Sequence, residues 1–196
     1  MYPVIICGDC GDRTLTATLQ QTCQRYGGIL TADGGHIRQS TAEPTFLLMN
    51  VNTLSEVNSS GLVIFGEALC QVPPTLSLQK SVAITDTDNT DAVRLLRGTD
   101  SQVIGCSMSG RDTITLSGRN DNRALLCLLR TVTTLGGRCI EPCEVPVAVD
   151  ASTPIYPLLA ACCVLLLCDV PHQHGYEIGR SGTGLRQTLS YPQETE

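Results

Sequence analysis

Apolar residues along the chain fall into short, bounded runs whose spacing predicts alternating strands and helices. Residues 4–7 are brief and β-branched, as in a strand buried on both faces. Gly8-Asp9-Cys10-Gly11-Asp12-Arg13 then forms a tight glycine loop, with Thr14 as the expected N-cap of a helix over 15–26. Leu15, Leu19 and Cys23 recur at four-residue spacing, and Gly27-Gly28 stops the pattern. Residues 29–32 make the next strand, closed by Asp33-Gly34-Gly35, and a polar connection holding His36 runs through Glu43-Pro44. Four further strand-like runs follow at 46–51, 62–65, 82–85 and 103–106, each bounded by Gly, Asn, Asp or Ser. Between the last two, Asn89 is placed to cap a helix over 90–97, with Ala92, Val93 and Leu96 inward and Gly98 closing it. That is a βαβ unit of ordinary length.

The pattern changes after residue 110. Residues 113–116 alternate strictly, 124–129 are strand-like, Leu135-Gly136-Gly137 turns, and 139–141 and 144–149 continue as strands. Residues 112–149 are therefore expected to form a small antiparallel meander appended to the parallel sheet. Pro154 opens a helix over 155–168 that is apolar on every side and must be buried. The expected fold class is three-layer α/β/α, with a mostly parallel sheet of about six strands plus that small antiparallel sheet. Residues 1–178 form the domain, and 179–196, polar and broken by Gly, Ser and Pro, read as a flexible C-terminal tail.

Composition narrows the function. A net charge of −6, a pI near 5.0 and the absence of Trp argue against nucleic acid and anionic membranes as partners. The apolar run at 155–168 falls short of the roughly 18–20 residues a membrane span needs. Residues 4–7 are too short for a leader's apolar core, so a soluble cytoplasmic protein is expected, its eleven cysteines reduced. Of thirteen basic residues only Lys80 is a lysine.

Several local strings, in order, resemble the central ATP-binding domain of the Mur ligases, the enzymes that add amino acids to the peptidoglycan precursor, and of their folylpolyglutamate synthase relatives. Cys7-Gly8-Asp9-Cys10-Gly11-Asp12-Arg13-Thr14 stands where that family has a TGTNGKTT-type phosphate loop. Ala83-Ile84-Thr85-Asp86-Thr87-Asp88 matches a VINADD-like string, and Val103-Ile104-Gly105-Cys106 a strand running into "FG". Pro154-Ile155-Tyr156-Pro157-Leu158-Leu159-Ala160-Ala161 sits at the family's "HNxxNxxAA" helix. The resemblance spans about residues 3–178 and implies a P-loop-like fold with MgATP at the loop.

The departures are chemical. The family's loop lysine, which neutralises the β- and γ-phosphates, and the adjacent Mg²⁺-holding Thr correspond to Asp12 and Arg13, and an aspartate there repels a triphosphate. The family also uses a second, carbamylated lysine, and one lysine cannot fill both roles. Thr85 replaces the Asn of VINADD, and Thr153 and Pro157 replace the His and second Asn of the helix motif. The segment between the early strands is shorter than a ligase's, and the family's UDP-binding and amino-acid-binding domains have no counterpart in these residues.

The expectation is a degenerate, non-catalytic domain with no resident cofactor and no metal, MgATP being the alternative. It acts as a binding or regulatory module for an unidentified protein partner or a small anionic ligand, in bacterial-type cell-wall precursor metabolism. Candidate ligand-binding residues are Gly8, Asp9, Cys10, Gly11, Asp12, Arg13, Thr14, Asp86 and Asp88. Asp86 and Asp88 have helix capping as their competing role. Free amides at such a loop favour an anion, and Arg13 would add charge. Two cysteine readings compete with this. Cys7 and Cys10 form a Cys-x-x-Cys before a helix, a dithiol position where the helix N-terminus would lower a thiol pKa. The same pair with Cys139 and Cys143 would make a four-thiolate zinc site if the two ends meet. Cys162, Cys163 and Cys168 are packing residues, and His36, His172 and His174 surface histidines.

Overall fold

A computed structural model describes residues 1–8, 13–33 and 36–179. In chain order the elements are β1 (Tyr2–Cys7), α1 (Thr14–Arg25), β2 (Ile29–Asp33), β3 (His36–Gln39), β4 (Phe46–Val51), β5 (Glu56–Phe65) and β6 (Ser77–Asp86). Then come α2 (Thr90–Leu96), β7 (Val103–Cys106), β8 (Ile114–Arg119), β9 (Arg123–Leu128), β10 (Val132–Thr133) and β11 (Cys139–Ile140). The last are β12 (Cys143–Val149), α3 (Ile155–Leu167) and β13 (Tyr176–Ile178). The expected tail lies outside the described residues apart from Gly179.

The fold is mixed α/β, and its sheet is larger than expected. Eleven strands form one sheet in the order β13-β12-β9-β8-β7-β6-β5-β1-β4-β2-β3, rather than about six. The parallel block runs from β2 through β4, β1, β5, β6 and β7 to β8. The antiparallel segment at 112–149 is appended to the parallel sheet, as expected. Strands β8, β9 and β12 continue that sheet, because Ile114 pairs in parallel beside Cys106 while its strand also pairs antiparallel with β9. Among the described residues only β10 and β11 stand apart, as a two-stranded sheet.

The layers are unequal. On one face, α1 and α3 cover Val4, Ile6, Phe46, Leu48, Ile64, Ile84 and Ile104. Alternate residues point the other way: Cys7, Val63, Phe65 and Ala83 meet Ala92 and Leu96 of the seven-residue α2. Among the described residues a single short helix thus stands where a full second helical layer was expected. All of α3 except Ile155 is buried, since α1 lies along its side with Leu15, Leu19 and Cys23 turned inward. The turn entering α3 is held by Arg119, whose guanidinium donates to the carbonyls of Asp150 (3.1 Å), Ala151 (3.0 Å) and Thr153 (2.6 Å). The buried Tyr156 hydroxyl then donates to the Phe65 carbonyl, joining the first turn of α3 to the end of β5.

The second face gains cover from a bend in the sheet itself. Val51, Cys7 and Phe65 stand level across β4, β1 and β5. Only residues 52–55 separate Val51 from Glu56, a reach below about 20 Å. A straight β5 would set Glu56 roughly 30 Å back from Phe65, so β5 must turn. The turn lies at the register shift between Asn58 and Gly61, opposite Lys80, which takes a left-handed φ of 63°. It brings Val57 and Leu78 into the same buried cluster as Val63 and Phe65.

The left-handed backbone at Lys80 sets a test. Lys80→Gly is expected to hold or raise the urea midpoint, whereas β-branched Lys80→Val is expected to lose about 1 kcal/mol. The reverse order would contradict the bend.

Candidate functional site

Parallel strands end together, and here their carboxyl ends bring Gly8, Gly66, Asp86 and Ser107 to one edge of the sheet. The registers Ile6–Ile64 and Ile64–Ile84 set Gly8 and Asp86 level, two strands or about 10 Å apart. Of the residues singled out above, Gly8, Arg13, Thr14, Asp86 and Asp88 are described. Asp9, Cys10, Gly11 and Asp12 lie outside the described residues.

The start of the glycine loop is already engaged by the chain. The Gly8 amide donates to the Val51 carbonyl at 3.0 Å, and the Gly66 amide donates to the Cys7 carbonyl at 2.8 Å. Gly8 has φ of 97°, and a Cβ there would meet Leu69 Cδ2 at 2.6 Å and the Ala68 carbonyl at 3.1 Å. Segment 68–70 therefore packs directly over β1's end, with Cys70 Sγ 3.1 Å from the Gly8 carbonyl oxygen. Cys70 is disulfide-bonded, which corrects the expectation that every cysteine is reduced.

Helix α1 begins one residue earlier than expected. Thr14 is its first residue, and exposed Arg13 occupies the N-cap without a side-chain capping bond. The cap carbonyl still accepts from the Ala17 amide at 2.8 Å, as helix geometry requires.

Cys7 does not have the character expected of a thiol beside a helix N-terminus. It is free and buried, and burial pushes its pKa up to about 11. Of the proposed zinc set, Cys139 is exposed and Cys143 half-buried. Among the described residues no three His, Cys, Asp or Glu side chains converge on a common point. His36 lies on strand β3 instead of in a loop, while His172 and His174 precede β13, far in the sheet order from Gly8.

The acidic part of the edge is a bonded network. Asn89 caps α2: its side-chain oxygen accepts from the Ala92 amide (3.0 Å), and its side-chain nitrogen donates to the Gly66 carbonyl (2.7 Å). Asp86 Oδ1 accepts from the Asp88 amide at 2.9 Å, so the capping role considered for these aspartates falls to Asn89. Asp112, absent from the sequence reading, is buried and accepts hydrogen bonds from Thr87 (3.2 Å) and Ser107. Gly105 permits this, because a Cβ there would sit 2.9 Å from both Asp112 Oδ1 and Thr87 Cγ2. Nothing local in the sequence marks Asp112; its partners lie on the ends of two other strands.

Burial first, then the charges of Asp88 and Asp112, raise the Asp86 pKa above its ordinary value. The only lysine is remote from this edge. Lys80 lies six residues before Asp86 on β6, roughly 20 Å away along the strand. A separate cavity of about 520 Å³, between Val72-Pro73-Pro74 and Arg94 and Leu95, contains none of the candidate residues.

No protein-family model and no curated protein sequence matches the chain. Among solved structures it is similar to MurF from Acinetobacter baumannii, at 10% identity and a TM-score of 0.48, over 85% of this chain and 42% of that one. MurF ligase from Thermotoga maritima in complex with ADP gives 10% and 0.46, over 84% of this chain and 45% of that one. A murein peptide ligase from Psychrobacter arcticus gives 10% and 0.49, over 86% and 44%. The chain spans less than half the length of each ligase. Among the described residues no helix is long and apolar enough to cross a membrane.

The raised Asp86 pKa has a definite sign. A carboxyl that binds its proton more tightly when folded stabilises the fold at low pH and loses that contribution as pH rises through its folded pKa. Asp86→Asn keeps an acceptor for the Asp88 amide and removes the charge. It is expected to raise the melting temperature at pH 7, and the gain is expected to vanish near pH 3. An equal gain at both values would show that charge is not the cause.

Proposed function

We propose that this chain is a degenerate Mur-ligase-like domain, a pseudoenzyme acting as a binding or regulatory module in cell-wall precursor metabolism in the cytoplasm. The family reading is supported by the order of its strings, from the glycine loop through Asp86-Thr87-Asp88 and Gly105-Cys106 to the Pro154 helix. The loss of catalysis rests on one observation above the others. A nucleoside triphosphate needs amides and a cation at the end of β1. There the Gly8 amide is bonded to Val51, Leu69 packs on Gly8, and the only lysine stands six residues back along β6 from Asp86. Asp12 in the position of the family's lysine adds repulsion to that arrangement. These residues do not fit MgATP.

A second reading, a small anionic ligand at the same loop, is favoured by Arg13 alone. Its side chain is exposed at the N-terminus of α1 and makes no capping bond. The dithiol reading is opposed by Cys7, whose buried thiol resists forming the thiolate that disulfide exchange requires.

Nucleotide binding separates these readings. A retained site at a hundredfold excess over Kd would add about 2.7 kcal/mol. For a chain of this size that is a melting shift of roughly 5–10 °C. Millimolar MgATP is expected to give less than about 1 °C. Asp12→Lys is expected to leave ATP hydrolysis undetectable, since the family's second lysine still has no counterpart. A clear shift with MgATP that is lost in Arg13→Ala would overturn the pseudoenzyme reading in favour of a nucleotide sensor.

A further inference from the structure

A close pair of thiols lies in the core, away from the glycine loop. Cys106 ends β7 and Cys163 lies within α3; both are free and fully buried. Their sulfurs are 3.4 Å apart, one thiol hydrogen-bonded to the other. A disulfide requires about 2.05 Å, so closure asks for a movement of little over 1 Å shared between a strand end and a helix. The position has consequences at both ends. Cys106 leads directly into Ser107 and the loop to Asp112, whose carboxylate binds Ser107 and Thr87 at the sheet edge. Cys163 belongs to the helix that fills the larger core cluster.

We propose that Cys106 and Cys163 form a redox latch, which a hydroperoxide closes to a disulfide tying the Ser107–Asp112 loop to α3. One sulfur attacks the peroxide, the O–O bond breaks, and a sulfenic acid and an alcohol (water, from hydrogen peroxide) result. The second sulfur attacks the sulfenic sulfur; the S–S bond forms, the S–O bond breaks, and the oxygen leaves with the thiol proton as water. Two electrons pass from the two sulfurs to the peroxide. Sulfur contact in the folded state makes the second step effectively unimolecular. The first step is slow, because burial holds the Cys163 thiol well above its ordinary pKa and suppresses the reactive thiolate. The latch therefore answers sustained oxidant, after the exposed Cys139 has reacted. It is independent of whether the sheet edge binds a nucleotide, an anion or a protein.

The test uses the whole chain, folded, with excess hydrogen peroxide, followed by alkylation in denaturant and peptide mapping. The expected product is a peptide pair joined through Cys106 and Cys163 and released by reductant, with amide exchange over 107–112 slowed several-fold. Cys162→Ala is expected to keep the link, and Cys163→Ala to lose both the link and the slowing. Recovery of alkylated Cys106 and Cys163 after Cys139 is fully oxidised would overturn the proposal. So would a link from Cys106 to Cys162, and this readout needs no variant.

Discussion

The structure depends on burying a helix that has no polar side. Between Tyr156 and Leu167 every residue of α3 is buried, so one sheet face cannot satisfy it alone. Beneath it lie β6, β7 and β8, beside it α1, and at its flank β13. Strand β13 is in turn held by α1's end: the Tyr26 hydroxyl accepts from the Glu177 amide at 2.7 Å, and Arg25 pairs with Glu177. The rings of Tyr26 and Tyr176 meet edge to face at 5.9 Å. These contacts are the sides of a box around α3.

That box explains the unequal layers. One face carries both long helices, with α1 packed along α3, and the other is left with α2, loop 66–76 and the bent start of the β5–β6 ribbon. The same loop that helps cover the second face packs Leu69 against Gly8. Covering the core and filling the end of β1 are thus one event. At the start of the glycine loop the Gly8 amide is bonded to the Val51 carbonyl.

Local patterning revealed elements whose side chains face the core. Strand β4 matches the apolar run at 46–51 residue for residue, and Asn89 was legible as a cap because its bond to Ala92 is three residues away. Elements held by distant partners were hidden. The polar halves of β5 and β6 pair with each other, and β13 depends on β12. Strand β3 was hidden for a different reason: its partner β2 is the preceding strand, but all four of its residues are exposed and leave no apolar pattern. At the site, Asp86 and Asp88 were found from a family string, while Asp112 depends on Thr87, 25 residues away, and on the space left by Gly105.

Native-state hydrogen exchange tests the dependence on α3 most directly. If the helix is the constraint on which the fold closes, the amides of its central turns exchange only through global unfolding, and their protection falls with denaturant in step with the unfolding free energy. Amides of β3 and α2 should exchange by local opening, with little dependence on denaturant. Exchange in α3 as fast as in β3 would contradict the account, because the box could then open around its contents without the fold coming apart.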